Sequence, residues 1–246
     1  MAPETLIVEE HDHITKITLN RPNALNAIND KMGEELLATL KDTEKSETAR
    51  CLVITGAGRA FSAGEDVAGL KDRYGEGAHP PLGDHLRKKY HPIITRIRNI
   101  EKPIIARLNG IAAGSGASLA LACDIRVASE EAGLKQAFIG VGLVPDSGSS
   151  YFLTRMIGIG RALELIMTEK QYRPKKPNSS DSSPKSSRPP NLTSIRTSSP
   201  IGSRPAQLKH WDYLSESSTE SQASNFPKLS STKRTTKTSR DEPATI

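Results

Sequence analysis

Near residue 170 the chain stops being the kind of sequence that can bury a core. Residues 171–246 hold 18 Ser, 8 Thr and 9 Pro, and only one of the chain's 18 glycines, Gly202. So little apolar surface cannot offset the entropy lost on ordering a chain. These residues carry 13 basic and 6 acidic side chains, a balance of +7, whereas residues 1–170 carry 21 and 22. The net charge of +6 therefore belongs to the last third, and the first two thirds are close to neutral.

That division governs what can be said about partners. A run such as Ser231-Thr232-Lys233-Arg234 could touch nucleic acid or an acidic membrane. A solvated, disordered segment is the plainer reading, and no nucleic-acid or membrane partner is expected. Trp211, Tyr213 and Leu214 form a local apolar cluster too small to seed a domain. No apolar run approaches the ~20 residues of a membrane span, and Met1-Ala2-Pro3-Glu4 does not open like a secretory signal. Cys51 and Cys123 are 72 positions apart, which excludes a disulfide scaffold and a cysteine-ligated zinc site. The expected location is the cytoplasm.

Residues 1–170 read as alternating strands and helices. Ile14-Thr15-Lys16-Ile17-Thr18-Leu19 alternates like a half-buried strand, and Leu6–Glu10 precedes it. Asn29 is placed to cap a helix carrying Met32, Leu36, Leu37 and Leu40 on one face. Cys51–Thr55 is a short continuous apolar run of the kind buried in a parallel sheet. The stretch Asp72–Asp84 reads as an exposed loop. Leu86, Tyr90, Ile93, Ile94 and Ile97 restore helical spacing, with Pro92 kinking or restarting the helix. Ile104–Leu108 and Ile125–Ala128 are further strands, and Gly114–Ala122, Ser149–Ile157 and Arg161–Met167 are helical. This order predicts an α/β layered fold with parallel crossovers.

Several chemistries are excluded by pattern. Gly56-Ala57-Gly58 lacks the third glycine of a dinucleotide fingerprint, and no phosphate-binding GxxxxGK[ST] loop occurs. Ser115 lies in Gly114-Ser115-Gly116, which is not a nucleophile elbow. His11 and His13 flank Asp12 on a hairpin turn and offer a metal too few ligands. Two glycine-bearing loops remain, Ala60–Asp66 and Gly110–Gly116, each following a strand. Such loops are either tight turns or a pair of backbone donors aimed at one oxygen. Asp146, in Gly142-Leu143-Val144-Pro145-Asp146-Ser147-Gly148, is either a helix N-cap or a desolvated acid–base group.

Four signatures, in order and spacing, tie these pieces together. They are Asn20–Ala27 (NRPNALNA), Ala60–Asp66 (AFSAGED), Lys102–Gly110 (KPIIARLNG) and Gly114–Asp124. Residues 1–170 thereby resemble the enoyl-CoA hydratase/isomerase (crotonase) superfamily. The resemblance implies repeated ββα layers with mainly parallel sheets, an acyl-CoA thioester substrate and no cofactor beyond its CoA moiety. Matched residue by residue, it implies an oxyanion hole from the backbone N–H groups of Glu65 and Ser115. It places CoA contacts at Ala24, Leu25, Ala63, Asp66 and Val67, and implies no metal.

The departures from the family pattern narrow the chemistry. The two glutamates of the hydratases would fall at Ser118 and Phe138, which argues against water addition. Asp146 matches the acid–base position of the isomerase branch, most similar to the phenylacetate-pathway enzymes acting on ring-epoxide CoA thioesters. The implied reaction moves a double bond: Asp146 takes a C2 or C4 proton and returns it elsewhere along the conjugated system. Phe138, Ile139 and Val144 are expected to desolvate that carboxylate. Enoyl-CoA hydration, or another acyl-CoA lyase reaction on the same fold, is the alternative; a non-catalytic product is a third.

The resemblance ends near Thr168. Family members continue with helices that cover the acyl pocket and assemble trimers or hexamers, so residues 171–246 are expected to be an out-of-frame or misassembled continuation. Translation in the other two frames tests this, and neither restoring an amphipathic helix would refute it.

Overall fold

The computed structural model describes residues 3–69 and 81–173. Residues 70–80, which include most of the expected Asp72–Asp84 loop, and 174–246, nearly all of the expected tail with its Trp211 cluster, lie outside the described residues.

The first hairpin follows from local chemistry. Strands β1 (Leu6–His11) and β2 (Ile14–Leu19) pair antiparallel from Leu6↔Leu19 to His11↔Ile14. Asp12 and His13 between them have φ of 49° and 64°, the two left-handed residues of a tight two-residue hairpin turn. β2 then runs parallel to β3 (Cys51–Gly56), β3 to β5 (Ile104–Leu108), and β5 to β7 (Ile125–Ala128). All six residues of β3 are buried, as a central strand covered on both faces requires. The thiols of Cys51 and Cys123 are buried too, and burial pushes them up to about 11 and about 12.

A second sheet holds three short parallel strands, β4 (Ala60–Ser62), β6 (Ile111–Ala113) and β8 (Gly133–Lys135), in the order β4-β6-β8. Each follows a strand of the large sheet, and after each the chain turns toward helix, which is the repeated ββα arrangement expected from the sequence. The sequence reading did not pick out these strands, because three residues are too few to show a period of two.

The helices fill the layers between. Helix α1 (Asp30–Lys45) starts where Asn29 Oδ1 accepts the Met32 amide at 2.9 Å, and buries Met32, Gly33, Leu36, Leu40 and Thr43. Helix α2 (Leu82–Lys88) occupies what reads as the end of a loop, a correction at Leu82–Asp84. Its Gly/Pro-rich approach masked a helix that starts directly after Pro81. Helix α3 (Tyr90–Asn99) carries Pro92 in its first turn, where a missing N–H costs nothing, so Pro92 restarts the helix rather than kinking it. Helix α4 (Ser115–Ala122) is buried at all eight residues. Its last carbonyls are met by Arg126, whose Nη1 donates to Leu121 O at 3.2 Å and Cys123 O at 2.6 Å.

Helices α5 (Ser149–Ile157) and α6 (Ile159–Thr168) complete the described fold, separated by Gly158. The ordered chain continues past the expected boundary at 170. Tyr172 exchanges two backbone hydrogen bonds of 2.8 Å with Leu134 of β8, and Gln171 packs on Gly133. No described helix is long and apolar enough to cross a membrane.

Candidate active site

The site begins with two loops that leave parallel strands side by side. The first, Ala63-Gly64-Glu65-Asp66, follows β4. Ile28 bridges it: the Ile28 amide donates to Gly64 O at 2.7 Å and Asp66 N donates back to Ile28 O at 3.3 Å. In a parallel bridge the middle residue points its own N–H away from that partner, so Glu65 presents its amide to the opposite side. The second loop follows β6, where the Gly114 amide donates to Lys135 O at 3.0 Å. Ser115 then opens α4 with an N–H that has no helical acceptor. Among the described residues neither the Glu65 nor the Ser115 amide has a backbone acceptor.

Glycine lets these loops approach. Gly64 has φ of 95°, and a Cβ there would stand 2.7 Å from Ala113 O and 3.2 Å from the Ser115 nitrogen. No side chain fits such a gap, so the loop that carries Glu65 lies against the start of the helix that Ser115 opens.

Asp146 sits on the loop before α5 and is half-buried. The N-cap of α5 is Gly148, with no side-chain cap, so the capping role is not the one Asp146 plays. Its carboxylate accepts the Ser147 hydroxyl at 2.9 Å, and its carbonyl accepts the Ser118 hydroxyl of α4 at 3.2 Å. Burial raises its pKa above the ordinary carboxyl value; the Ser147 bond opposes this, the Glu65 charge adds to it, and His85 and His91 pull it down. The Ser118 hydroxyl, which also meets Gly114 O, places the Asp146 backbone against α4 where the second loop ends. Of the expected desolvating residues, Phe138 is buried at 4% exposure, but Ile139 and Val144 are 42% and 79% exposed. The desolvation of Asp146 therefore does not come from burying those two side chains, whose places in the local turns face them outward.

The Glu65 side chain carries a cluster the sequence reading missed. Lys89 Nζ donates to its two oxygens at 2.9 and 3.1 Å, and Tyr90 Oη donates to Oε2 at 2.6 Å. His85 Nε2 lies 3.1 Å away, close enough for an ion pair but without hydrogen-bond alignment. Ser115 Oγ in turn donates to Tyr90 Oη at 2.9 Å. The available signal was weak. Lys89 belongs to the basic run Arg87-Lys88-Lys89, and Tyr90 fits the apolar spacing of a packing residue.

The expected CoA contacts also gather. The Ala63 amide donates to Leu25 O at 2.9 Å, so the loop after Ala24 abuts the loop after β4. Leu25 and Asn26 both have positive φ, 50° and 55°. Buried Asn26 supports that turn by donating to Ala57 O and Ala60 O, both at 2.8 Å. The Asp66 carboxylate is held by Arg21 Nη1 at 2.8 Å, so its charge is already paired within the protein. Val67, 50% exposed, lies on the open side of the same stretch. Among the described residues no three His, Cys, Asp or Glu side chains are grouped to hold a metal ion.

Comparison with known proteins places this geometry in context. Residues 9–178 match the family described as enoyl-CoA hydratase/isomerase. The chain is 42% identical over 160 residues to the 1,2-epoxyphenylacetyl-CoA isomerase of Escherichia coli, covering 64% of this chain and 60% of that one. It is 40% identical over 167 residues to a probable enoyl-CoA hydratase of Rhodobacter capsulatus, covering 68% and 62%. Among solved structures, an enoyl-CoA hydratase described as putative, from Streptomyces coelicolor, superposes with a TM-score of 0.65 at 34% identity. That match covers 70% of this chain and 63% of the other. The chain spans about three-fifths of the length of the curated relatives it matches.

Proposed function

We infer the reaction from one premise: this chain belongs to the enoyl-CoA hydratase/isomerase family. The reading is an isomerase that shifts a double bond within an acyl-CoA thioester. In it the thioester oxygen rests between the Glu65 and Ser115 amides, whose partial positive charge stabilises the enolate formed when a C2 or C4 proton leaves. The N-terminal end of α4 adds its dipole to the same oxygen. Asp146 takes the proton and returns it along the conjugated system, acting as base and then as acid. Its raised pKa suits both steps, because a carboxylate nearer the working pH gives a proton back more readily. Ala24, Leu25, Ala63, Asp66 and Val67 would hold the CoA moiety, the one cofactor-like group the reaction uses.

The observation that carries this reading is the contrast between Asp146 and Ser118. Where the hydratase pattern has a glutamate, this chain has the Ser118 hydroxyl, which donates to the backbone carbonyls of Gly114 and Asp146. Phe138, at the other glutamate position, is buried and apolar. Of the carboxyl groups near the two loops, Glu65 is engaged by Lys89 and Tyr90 and Asp66 by Arg21, which leaves Asp146 for a proton shuttle and no carboxylate at either hydratase position to activate water. The names of several relatives favour hydration, and the same experiment separates the two.

Purified protein is assayed spectrophotometrically on a 3-enoyl-CoA and on a 2-enoyl-CoA, with Asp146→Asn alongside. Appearance of the conjugated thioester that vanishes in Asp146→Asn is the expected result. Hydration of the 2-enoyl-CoA that survives the substitution would overturn it.

A further inference from the structure

Two residues proposed to hold the thioester oxygen use their backbones for that task, yet their side chains are joined. Glu65 hangs from the loop after β4 and Ser115 from the loop after β6. The roots of those loops are fixed by strand pairing, Ala60 with Ile111 and Ser62 with Ala112. Their tips meet through α3. Ser115 Oγ donates to Tyr90 Oη at 2.9 Å, and Tyr90 Oη donates to Glu65 Oε2 at 2.6 Å. The far side of Glu65 is anchored by Lys89, which also donates to Ile28 O at 2.7 Å, the residue bridging this loop from the other side.

We propose that Tyr90 is a positioning residue that sets the spacing of the Glu65 and Ser115 amides. The inference rests on the oxyanion reading above and extends it to a side chain outside both loops. A tyrosine oxygen has one proton to give and lone pairs to receive with, so between a serine and an ionised carboxylate its orientation is fixed. Burial, with the Glu65 charge beside it, pushes the Tyr90 phenol well up, so the proton stays on the oxygen and the chain runs one way, Ser115 to Tyr90 to Glu65. Tyr90 is 3% exposed, and its bond to a carboxylate is charge-assisted and short. Such a link is stiff and ties the side chains at the loop tips, where strand pairing holds only the roots. Oxyanion donors act only when held at bonding distance from the developing charge, so the separation of the two amides is itself a catalytic variable.

The test uses the full chain and cinnamoyl-CoA, a conjugated thioester whose absorption moves to the red when its carbonyl is polarised. The wild type is expected to bind it with a red shift. Tyr90→Phe is expected to bind it with affinity within about threefold, to lose most of the shift, and to lose ~10- to 100-fold in kcat with KM little changed. A residue that merely supports the fold would lower the amount of active protein and leave the spectrum of the bound fraction as it was. Ser115→Ala keeps its amide and removes only the link, so it carries the test if Tyr90→Phe does not fold. It should lose the same shift, and adding Tyr90→Phe to it should cost little more. A full red shift in Tyr90→Phe or Ser115→Ala would overturn the role of Tyr90 alone. Absence of any shift in the wild type would overturn the oxyanion reading, and this inference with it.

Discussion

Helices α4 and α6 stand at opposite extremes of one described fold. All eight residues of α4 are buried, pressed so close to β4 that a Cβ at Gly116 would meet Ser62 O at 2.6 Å. Of the ten residues of α6 only Ala162 is buried, while Ile159, Leu163 and Met167 are 70%, 47% and 61% exposed. The first helix has found every neighbour it needs among the described residues. The second is amphipathic, with three of its six apolar residues turned outward. The difference divides the proposed site: the amide donors rest on the closed half, and Asp146 rests on the loop leading into the open half.

The largest effect should come from the open half, because chemistry outweighs packing there. Asp146→Asn is expected to lower kcat by ~10²–10⁴, the usual contribution of a positioned acid–base group. Steady-state kinetics on a 3-enoyl-CoA will show it, and a loss below tenfold would refute the assignment. Next comes Gly64→Ala in the closed half. The new methyl must displace Ala113 O or the Ser115 amide at a backbone angle that disfavours side chains, so loss of one donor should cost ~2.7–4 kcal/mol of transition-state stabilisation. A variant with near-normal kcat/KM would show that the two loops are ordinary turns.

Stability measurements sharpen the same division. Leu119→Ala, in the packed interior of α4 at 2% exposure, should destabilise by ~2–5 kcal/mol in denaturant titrations. Leu163→Gln on α6 should stay within ~0.5 kcal/mol. Similar costs at both would erase the distinction between the halves. Asp146 provides the smallest and most specific test, through pH. Its folded pKa is raised, so protonation favours the folded state, and the ionised group costs stability above that pKa. Asp146→Asn should therefore melt higher than the wild type at neutral pH. The gap should close as pH falls through the raised pKa toward the ordinary carboxyl value. A gap that widens on acidification would reverse the sign of the burial effect.

Legibility followed the same physics. Ile14–Leu19, Ile104–Leu108 and Ser149–Ile157 are visible to the residue because each is long enough to show its period and is bounded by a breaker. β4, β6 and β8 are invisible by periodicity, since a strand of three residues beside glycines looks like a loop. The two candidate loops were legible as candidates, but spacing alone left them as turns or donors; their close approach appears only when Gly64 is seen against Ala113 and Ser115. The Glu65–Tyr90 link could not be read from sequence, because it joins residues 25 apart through a helix whose start depends on where Pro92 sits. Asp146 was ambiguous for a definite reason: a carboxylate within three residues of a helix start is also where a cap would stand.

The antiparallel bridge between Leu134 and Tyr172 has a meaning beyond packing. β8 is the last strand of its sheet, and an edge strand offers its free N–H and C=O groups to any extended chain that arrives. Tyr172 occupies both groups of Leu134, so this stretch of chain acts as a stopper against edge-to-edge association. Proteolytic removal of residues from Gln171 onward would uncover a short template for aggregation, and the fold could then be lost to self-association before it is lost to unfolding.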